Sequence, residues 1–206
     1  MALPSRPPPP ASGVVLAGGR ARRFGRDKLA EPIGGGPLLH RPIAVLAALC
    51  SEVIVAIAPG SAAPALPESG ELLWVVRDPI PDGGPLAGLV AGLREAREPL
   101  VLVVGGDMPD LRPALLEGLL RRADETGAGA VALAEREVVR SLPAVVRSSA
   151  LPVAERRLGS ADRSLVGCFR SLGLVVIPEM EWRAWDAAGD SLRDVDSPED
   201  LPAPER

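Results

Sequence analysis

Paired glycines, Gly18 and Gly19, follow the apolar run Val14-Val15-Leu16-Ala17 and open onto five basic side chains within nine residues: Arg20, Arg22, Arg23, Arg26 and Lys28. Glycine lets the chain turn sharply and brings backbone amides close to a ligand with no Cβ in the way. Amides at the end of a strand bind phosphate oxygens, and arginine or lysine neutralises their charge. The stretch suits a polyanion. A glycine turn leading into a solvated basic helix face fits the same residues, because short glycine motifs recur by chance. Two familiar phosphate loops are excluded, since neither the dinucleotide pattern G-x-G-x-x-G nor the nucleoside-triphosphatase pattern G-x-x-x-x-G-K-[ST] follows this strand.

Four carboxylates stand where apolar runs end. Asp78 follows Leu72 to Val76, Asp107 follows Pro99 to Val104 through Gly105 and Gly106, and Asp194 and Asp196 flank Val195 late in the chain. Residues i and i+2 of a strand face one side, so a strand here offers Asp194 and Asp196 to one cleft. Carboxylates near a phosphate loop repel the phosphate: two unit charges about 4 Å apart interact by about 4 kcal/mol at an effective dielectric of about 20. Mg2+ resolves the conflict, because it takes oxygen ligands and bridges one or two carboxylates to substrate phosphates. Asp107 is the first candidate ligand, with space beside it at Gly105 and Gly106. An aspartate that caps the turn Asp107-Met108-Pro109-Asp110 fits equally, and Asp78 before Pro79 also reads as the start of a turn.

These residues need a scaffold that gathers the carboxyl ends of several strands. The 206 residues are the length of one domain, and a chain of this size buries roughly 70% of its unfolded surface. Apolar residues make up 47%, with no Tyr, two Phe and three Trp, so the core must be Leu, Val, Ala and Ile. A net charge of −4 argues against a nucleic-acid-coating protein; the basic cluster is local and fits a small anionic ligand. Cys50 and Cys168 lie far apart without a C-x-x-C partner and read as reduced core residues. His40 is the single histidine, which excludes a multi-histidine metal site, and it precedes a helical pattern on whose surface it should lie. No apolar run approaches the ~20 residues of a membrane span, and the first dozen residues lack the apolar core of a secretory signal. A cytoplasmic protein without membrane or nucleic-acid partners is expected.

Residues 1–12, with Pro7 to Pro10 in a row, are expected to form a disordered or polyproline tail, leaving residues 13–206 as one domain. Within it the patterning predicts buried strands at the glycine loop, at Glu52 to Ile57, Leu72 to Val76 and Pro99 to Val104, and at Leu174 to Ile177. Helices are expected over Leu38 to Leu49, Pro85 to Arg97, Pro113 to Thr126 and Ser160 to Ser171, from about Glu181, and after Ser197. Short strands at Ala130 to Ala134 and Leu142 to Val146, separated by Glu135-Arg136-Glu137, read as an antiparallel excursion that covers one edge of the site. The alternation predicts an α/β fold: an open, mostly parallel, Rossmann-like sheet with helices on both faces, binding its ligand at the carboxyl ends of the strands.

Four ordered motifs carry a family resemblance. Leu16-Ala17-Gly18-Gly19 with Arg23-Phe24-Gly25 and Asp27-Lys28 resembles the opening L-A-G-G-x-x-x-R-M-G-x-D-K of the nucleotidyltransferases typified by molybdenum cofactor guanylyltransferase. Gly84-Pro85-Leu86-Ala87-Gly88 resembles that family's G-P-L-A-G element, Gly106-Asp107-Met108-Pro109 its C-D-M-P element, and Asp194-Val195-Asp196-Ser197-Pro198-Glu199-Asp200-Leu201 its closing N-x-N-T-P-E-D-L. The resemblance implies transfer of GMP from GTP to a phosphorylated molybdopterin acceptor, releasing pyrophosphate. Under it Leu16, Ala17, Gly18 and Gly19 contact the nucleotide through their backbone, Arg23 and Lys28 hold the triphosphate, and Asp78 contacts the nucleoside. Asp107 binds nucleotide and Mg2+, and Asp194 and Asp196 complete the metal and acceptor side, with Asp196 a second metal ligand. It also implies a molybdoenzyme or another cofactor-biosynthesis protein as partner. Phe24 stands for the usual Met, Ala56 where some members carry a nucleotide-contacting Asn, and Asp194 and Asp196 for two Asn. A cytidylyl-transferring relative, another phosphorylated acceptor and a non-catalytic nucleotide binder are the alternatives; Gly18-Gly19 after Leu16-Ala17 disfavours the first, whose members more often read L-A-A-G.

Overall fold

Runs rich in valine, isoleucine and leucine become strands, and runs with apolar residues at helical spacing become helices. The computed structural model describes residues 7–18, 28–68 and 72–200. In chain order the first half holds β1 (Ala11–Leu16), a two-stranded ribbon of β2 (Pro32–Ile33) and β3 (Gly36–Pro37), α1 (His40–Leu49), β4 (Glu52–Ile57) and β5 (Leu73–Arg77). Then come α2 (Gly84–Glu95), β6 (Leu100–Gly105) and α3 (Pro113–Thr126). The second half holds β7 (Ala130–Glu135), β8 (Val138–Arg147), α4 (Leu151–Leu158), α5 (Leu165–Ser171), β9 (Leu174–Ile177) and the single-turn α6 (Glu179–Trp182).

Seven strands form one sheet in the order β5-β4-β1-β6-β8-β7-β9. β5, β4, β1 and β6 run parallel, β8 lies antiparallel between β6 and β7, and β9 pairs parallel with β7. The winding reverses at β1, where Leu16 has Ala56 of β4 on one side and Gly105 of β6 on the other. Open α/β sheets bind ligands in the crevice at such a switch point, beyond the carboxyl ends of the strands. The expected open, mostly parallel sheet with helices on both faces is therefore the fold observed.

Alternate residues of β1 feed two cores. Val15 packs with Ile43 and Leu46 of α1 and Leu115 and Leu119 of α3 on one face. Val14 packs with Leu86, Leu89 and Val90 of α2 and Phe169 of α5 on the other. Each such side chain removed from water contributes roughly 1.5–3 kcal/mol, and burial on both faces explains the unbroken apolar runs of β1, β4 and β6. Among the described residues no helix is long and apolar enough to cross a membrane.

Several boundaries differ from expectation. β1 begins at Ala11, so Ala11 and Ser12 belong to the sheet rather than to the tail; both are fully buried, and Ser12 Oγ donates to Glu52 Oε1 at 2.7 Å. Helix α4 occupies a stretch where no element is expected, and Pro152 sits in its first turn, where its missing N–H costs nothing. The late strand expected to carry Asp194 and Asp196 is instead irregular chain that follows a 3-10 turn, Asp190–Leu192. The terminal helix is, within the described residues, a 3-10 turn over Pro198–Asp200.

The antiparallel excursion is a hairpin of β7 and β8 whose two-residue turn, Arg136-Glu137, holds both residues at positive φ, 46° and 67°. That is the backbone of the tight turns whose twist matches paired strands. β8 pairs with β6 only as far as Ala144 opposite Val103. Its earlier residues run past the last paired residue of β6 and stand beside the crevice as a wall.

Candidate active site

The floor of the crevice is tied together by main chain. Ala17 N donates to Ala56 O at 2.8 Å, and Gly106 N donates to Leu16 O at 3.0 Å, so the chain leaving β1 is pinned between the ends of β4 and β6. Leu16, Ala17 and Gly18 remain partly exposed there. Gly19 and Arg23 lie outside the described residues, as do Arg20, Arg22 and Arg26.

Lys28 and Asp107 meet across this crevice. Lys28 Nζ donates to Asp107 Oδ2 at 2.6 Å and to the main-chain oxygen of Val195 at 2.9 Å, and it stands 3.8 Å from Asp196 Oδ1. The lysine side chain is 14% exposed and the aspartate 28%, so this charge-assisted bond is shielded far more than a surface pair. Asp107 O accepts from Val195 N at 2.9 Å. Both main-chain groups of Val195 are thus used by the site, while its side chain is buried against Ile33 and Leu38. That anchoring turns the flanking carboxylates outward. Asp196 goes toward Lys28 and is 69% exposed; Asp194 goes toward Arg140, with its Oδ2 3.8 Å from Nη2.

The segment that delivers Val195 is shaped by a residue the sequence reading did not single out. Asp186 is buried, and its carboxylate accepts from Gly189 N at 3.0 Å, Asp190 N at 3.2 Å and Ser191 N at 2.8 Å. Burial pushes this carboxyl upward, but the three backbone donors outweigh it and leave it below the usual range. Ser191 Oγ in turn accepts from Arg112 N at 2.8 Å at the start of α3.

Asp194, Asp107 and Arg140 line a cleft of about 350 Å3 with Val138, Val139 and Leu142 from the overhanging part of β8. Burial pushes the Asp194 carboxyl up to about 6, with repulsion from Asp107 adding to it and Arg140 opposing it. The sequence does not single out Arg140; a cation in an excursion expected to flank the site is the one signal it offers. Among the described residues no three His, Cys, Asp or Glu side chains form a metal cage. Mg2+ needs only one or two carboxylates when phosphates supply the other oxygens, and Asp107 and Asp194, which repel one another across the cleft, are a donor set of that size.

Asp78 lies apart from this cluster, beyond the end of β5. Asp78 N donates to Ile57 O at 2.9 Å. The residue is 9% exposed, and Oδ1 is buried without a hydrogen-bond partner. Two glycines make room for the carboxylate: a Cβ on Gly18 would lie 3.0 Å from Oδ2, and one on Gly88 would lie 3.4 Å from Oδ1. An acceptor held beside Gly18 and Gly88 with an unused lone pair can receive a donor N–H or O–H from a ligand.

Burial raises the Asp78 carboxyl from 3.8 to about 6. In the unfolded chain the proton leaves first, so the stability of the ligand-free protein falls as pH rises between these values, and above about 6 the full penalty is present. Asp78→Asn should therefore unfold at higher temperature than wild type at pH 7.5, by roughly 1–2 kcal/mol or about 2–6 °C, with the gap closing toward pH 4. Thermal unfolding of both proteins across that range checks this; a gap independent of pH would contradict it.

His40 opens α1, and its Nε2 lies 3.0 Å from Ala65 O. Both cysteines are free; burial, with Glu52 nearby, pushes the Cys50 thiol up to about 12, so it is no nucleophile near neutral pH.

Known proteins share this architecture. Residues 13–172 match the family described as MobA-like NTP transferase domain. A probable molybdenum cofactor guanylyltransferase from Chloroflexus aggregans is 36% identical over 197 residues, covering 92% of this chain and 91% of the relative. Another, from Mycobacterium tuberculosis, is 43% identical over 127 residues, covering 59% of this chain and 61% of the relative. Among solved structures, molybdopterin-guanine dinucleotide biosynthesis protein A from Archaeoglobus fulgidus superposes with a TM-score of 0.73 at 24% identity, covering 92% of this chain and 94% of that one. The 2-C-methyl-D-erythritol 4-phosphate cytidylyltransferase from Thermus thermophilus superposes with 0.67 at 20% identity, covering 93% and 95%. At these identities the two superpositions establish the shared fold.

Proposed function

The chain belongs to the family of MobA-like NTP transferase domains, and within that family we propose that it transfers GMP from GTP to the molybdopterin form of the molybdenum cofactor. The products are the guanine dinucleotide cofactor and pyrophosphate. The observation that carries the reading is the Lys28–Asp107 contact at the switch point, closed by Val195, which joins the first, third and last of the family-like motifs at one spot. A molybdoenzyme, or another protein of cofactor biosynthesis, is the protein partner the reading implies.

In this reading an oxygen of the acceptor's terminal phosphate forms a bond to the α-phosphorus of GTP, and the bond from that phosphorus to the bridging oxygen of pyrophosphate breaks. The main chain of Leu16, Ala17, Gly18 and Gly19 follows the nucleotide, and the Asp78 carboxylate accepts a hydrogen bond from the nucleoside. Arg23 and Lys28 neutralise the triphosphate and the charge that grows on the departing pyrophosphate. Asp107, with Asp196 or Asp194 beside it, would hold Mg2+. Bound there, the ion would supply charge neutralisation of the transferring phosphoryl and leaving groups, the main contribution phosphoryl-type transfer needs. No side chain must become covalently attached to substrate.

Pyrophosphate release should require the molybdopterin acceptor and Mg2+ and should occur with GTP in preference to CTP and ATP. Release with CTP alone would overturn guanylyl transfer in favour of cytidylyl transfer, and GTP binding without release under any condition would mark a nucleotide binder.

A further inference from the structure

We infer that Arg140 is the side chain that grips the phosphate of the acceptor, in the cleft between the overhanging part of β8 and the Asp194 segment. The inference deepens the guanylyl-transfer reading and rests on it. An acceptor that attacks beside Asp107 brings a phosphate of nearly two negative charges into a cleft already lined by Asp107 and Asp194. Without a cation facing Asp194 the approach is repulsive. Among the described residues lining this cleft, Arg140 is the one cation. Lys28 is already committed to Asp107 and Val195 and, in the proposed reaction, to the triphosphate.

The bonding of Arg140 leaves it free to take a phosphate. Its Nη2 donates to Leu192 O at 3.0 Å, while the carboxylates of Glu135 and Asp194 each stand 3.8 Å away, beyond direct hydrogen-bond length. A guanidinium has five N–H donors in a planar fork suited to phosphate oxygens. The side chain is a third exposed, and Leu192 O fixes its position without using the whole fork. Asp194 is the resident counter-charge that an incoming phosphate displaces.

The rest of the wall fits the rest of such an acceptor. Val138 is 64% exposed, an apolar side chain left in water at the rim of a polar cleft. Val139 and Leu142 continue that surface. Beside a phosphate-binding arginine it suits a flat heterocycle carrying a phosphate monoester, which places phosphate on Arg140 and ring on β8.

Steady-state kinetics of Arg140→Gln and Arg140→Lys test this. Wild type is first assayed for acceptor-dependent pyrophosphate release; failure there overturns guanylyl transfer itself, and with it this inference. Given wild-type turnover, Arg140→Gln should raise KM for the molybdopterin acceptor roughly 10- to 100-fold and leave KM for GTP within about twofold. Arg140→Lys should recover part of that loss. Arg140 is a third exposed and its one close hydrogen bond is to Leu192 O, so the unfolding temperature of the variant should stay within a few degrees. An unchanged acceptor KM, or equal rises in both KM values, would overturn the assignment while leaving guanylyl transfer standing.

Discussion

Asp107→Ala is expected to lower kcat for GMP transfer by about 10^3 or more while the protein stays folded. The size follows from the position: Asp107 is the carboxylate nearest Lys28 at the switch point, and losing one preorganised electrostatic contact to a transferring group costs about 10^2–10^3, more when a metal is lost with it. The folding half of the expectation rests on the backbone. Val195 N donates to the main-chain oxygen of Asp107, not to its carboxylate, so the closing segment keeps its anchor in the variant. Lys28 keeps its bond to Val195 O and its approach to Asp196. Steady-state kinetics at saturating Mg2+, read beside thermal unfolding, separate the two. Full activity would remove Asp107 from the mechanism; a collapsed unfolding temperature would show that the carboxylate is structural.

The parts of the site built on buried strands were readable from sequence because a strand covered on both faces must be continuously apolar and must end abruptly. β1 ends at Leu16, just before Ala17-Gly18, and β6 at Gly105, just before Gly106-Asp107, for that reason. α3 was equally plain, with Pro113 in its first turn and Gly127 at φ 64° closing it. α4 was not, since its buried face is only Ala154 and Leu158 among arginines and a proline, a stripe too thin to register as a period. The closing segment departs from expectation for a different reason: an apolar residue between two acids looks like strand alternation, yet the N–H of Val195 goes to Asp107 and its carbonyl to Lys28. Contacts across such separations leave no local pattern. Arg140 belongs to the same class, because its place in the cleft depends on how far β8 overshoots β6, a matter of register between strands.

Lys28→Met is expected to lower kcat/KM for GTP by about 10^2–10^3 and, in the nucleotide-free protein, to tighten divalent-metal binding about tenfold. The two effects have opposite signs because the proposed reaction gives Lys28 two jobs at different stages. Without substrate its ammonium sits 2.6 Å from Asp107 Oδ2 and occupies the oxygen that a metal would take. A charge-assisted bond of this kind contributes about 1.5 kcal/mol or more, which a metal must displace, and about 1.4 kcal/mol is a factor of ten in affinity. In the proposed reaction Lys28 would leave Asp107 for the triphosphate, and the Asp107 carboxylate would then be free to hold Mg2+. Methionine keeps most of the apolar stem and the volume, so packing changes little. Titration with Mn2+ followed by its paramagnetic resonance, in the absence of nucleotide, gives the first number, and initial rates across GTP concentrations give the second. Weaker metal binding in the variant would mean that Lys28 organises Asp107 for the ion instead of competing with it, and the exchange of partners would be wrong even if activity were lost.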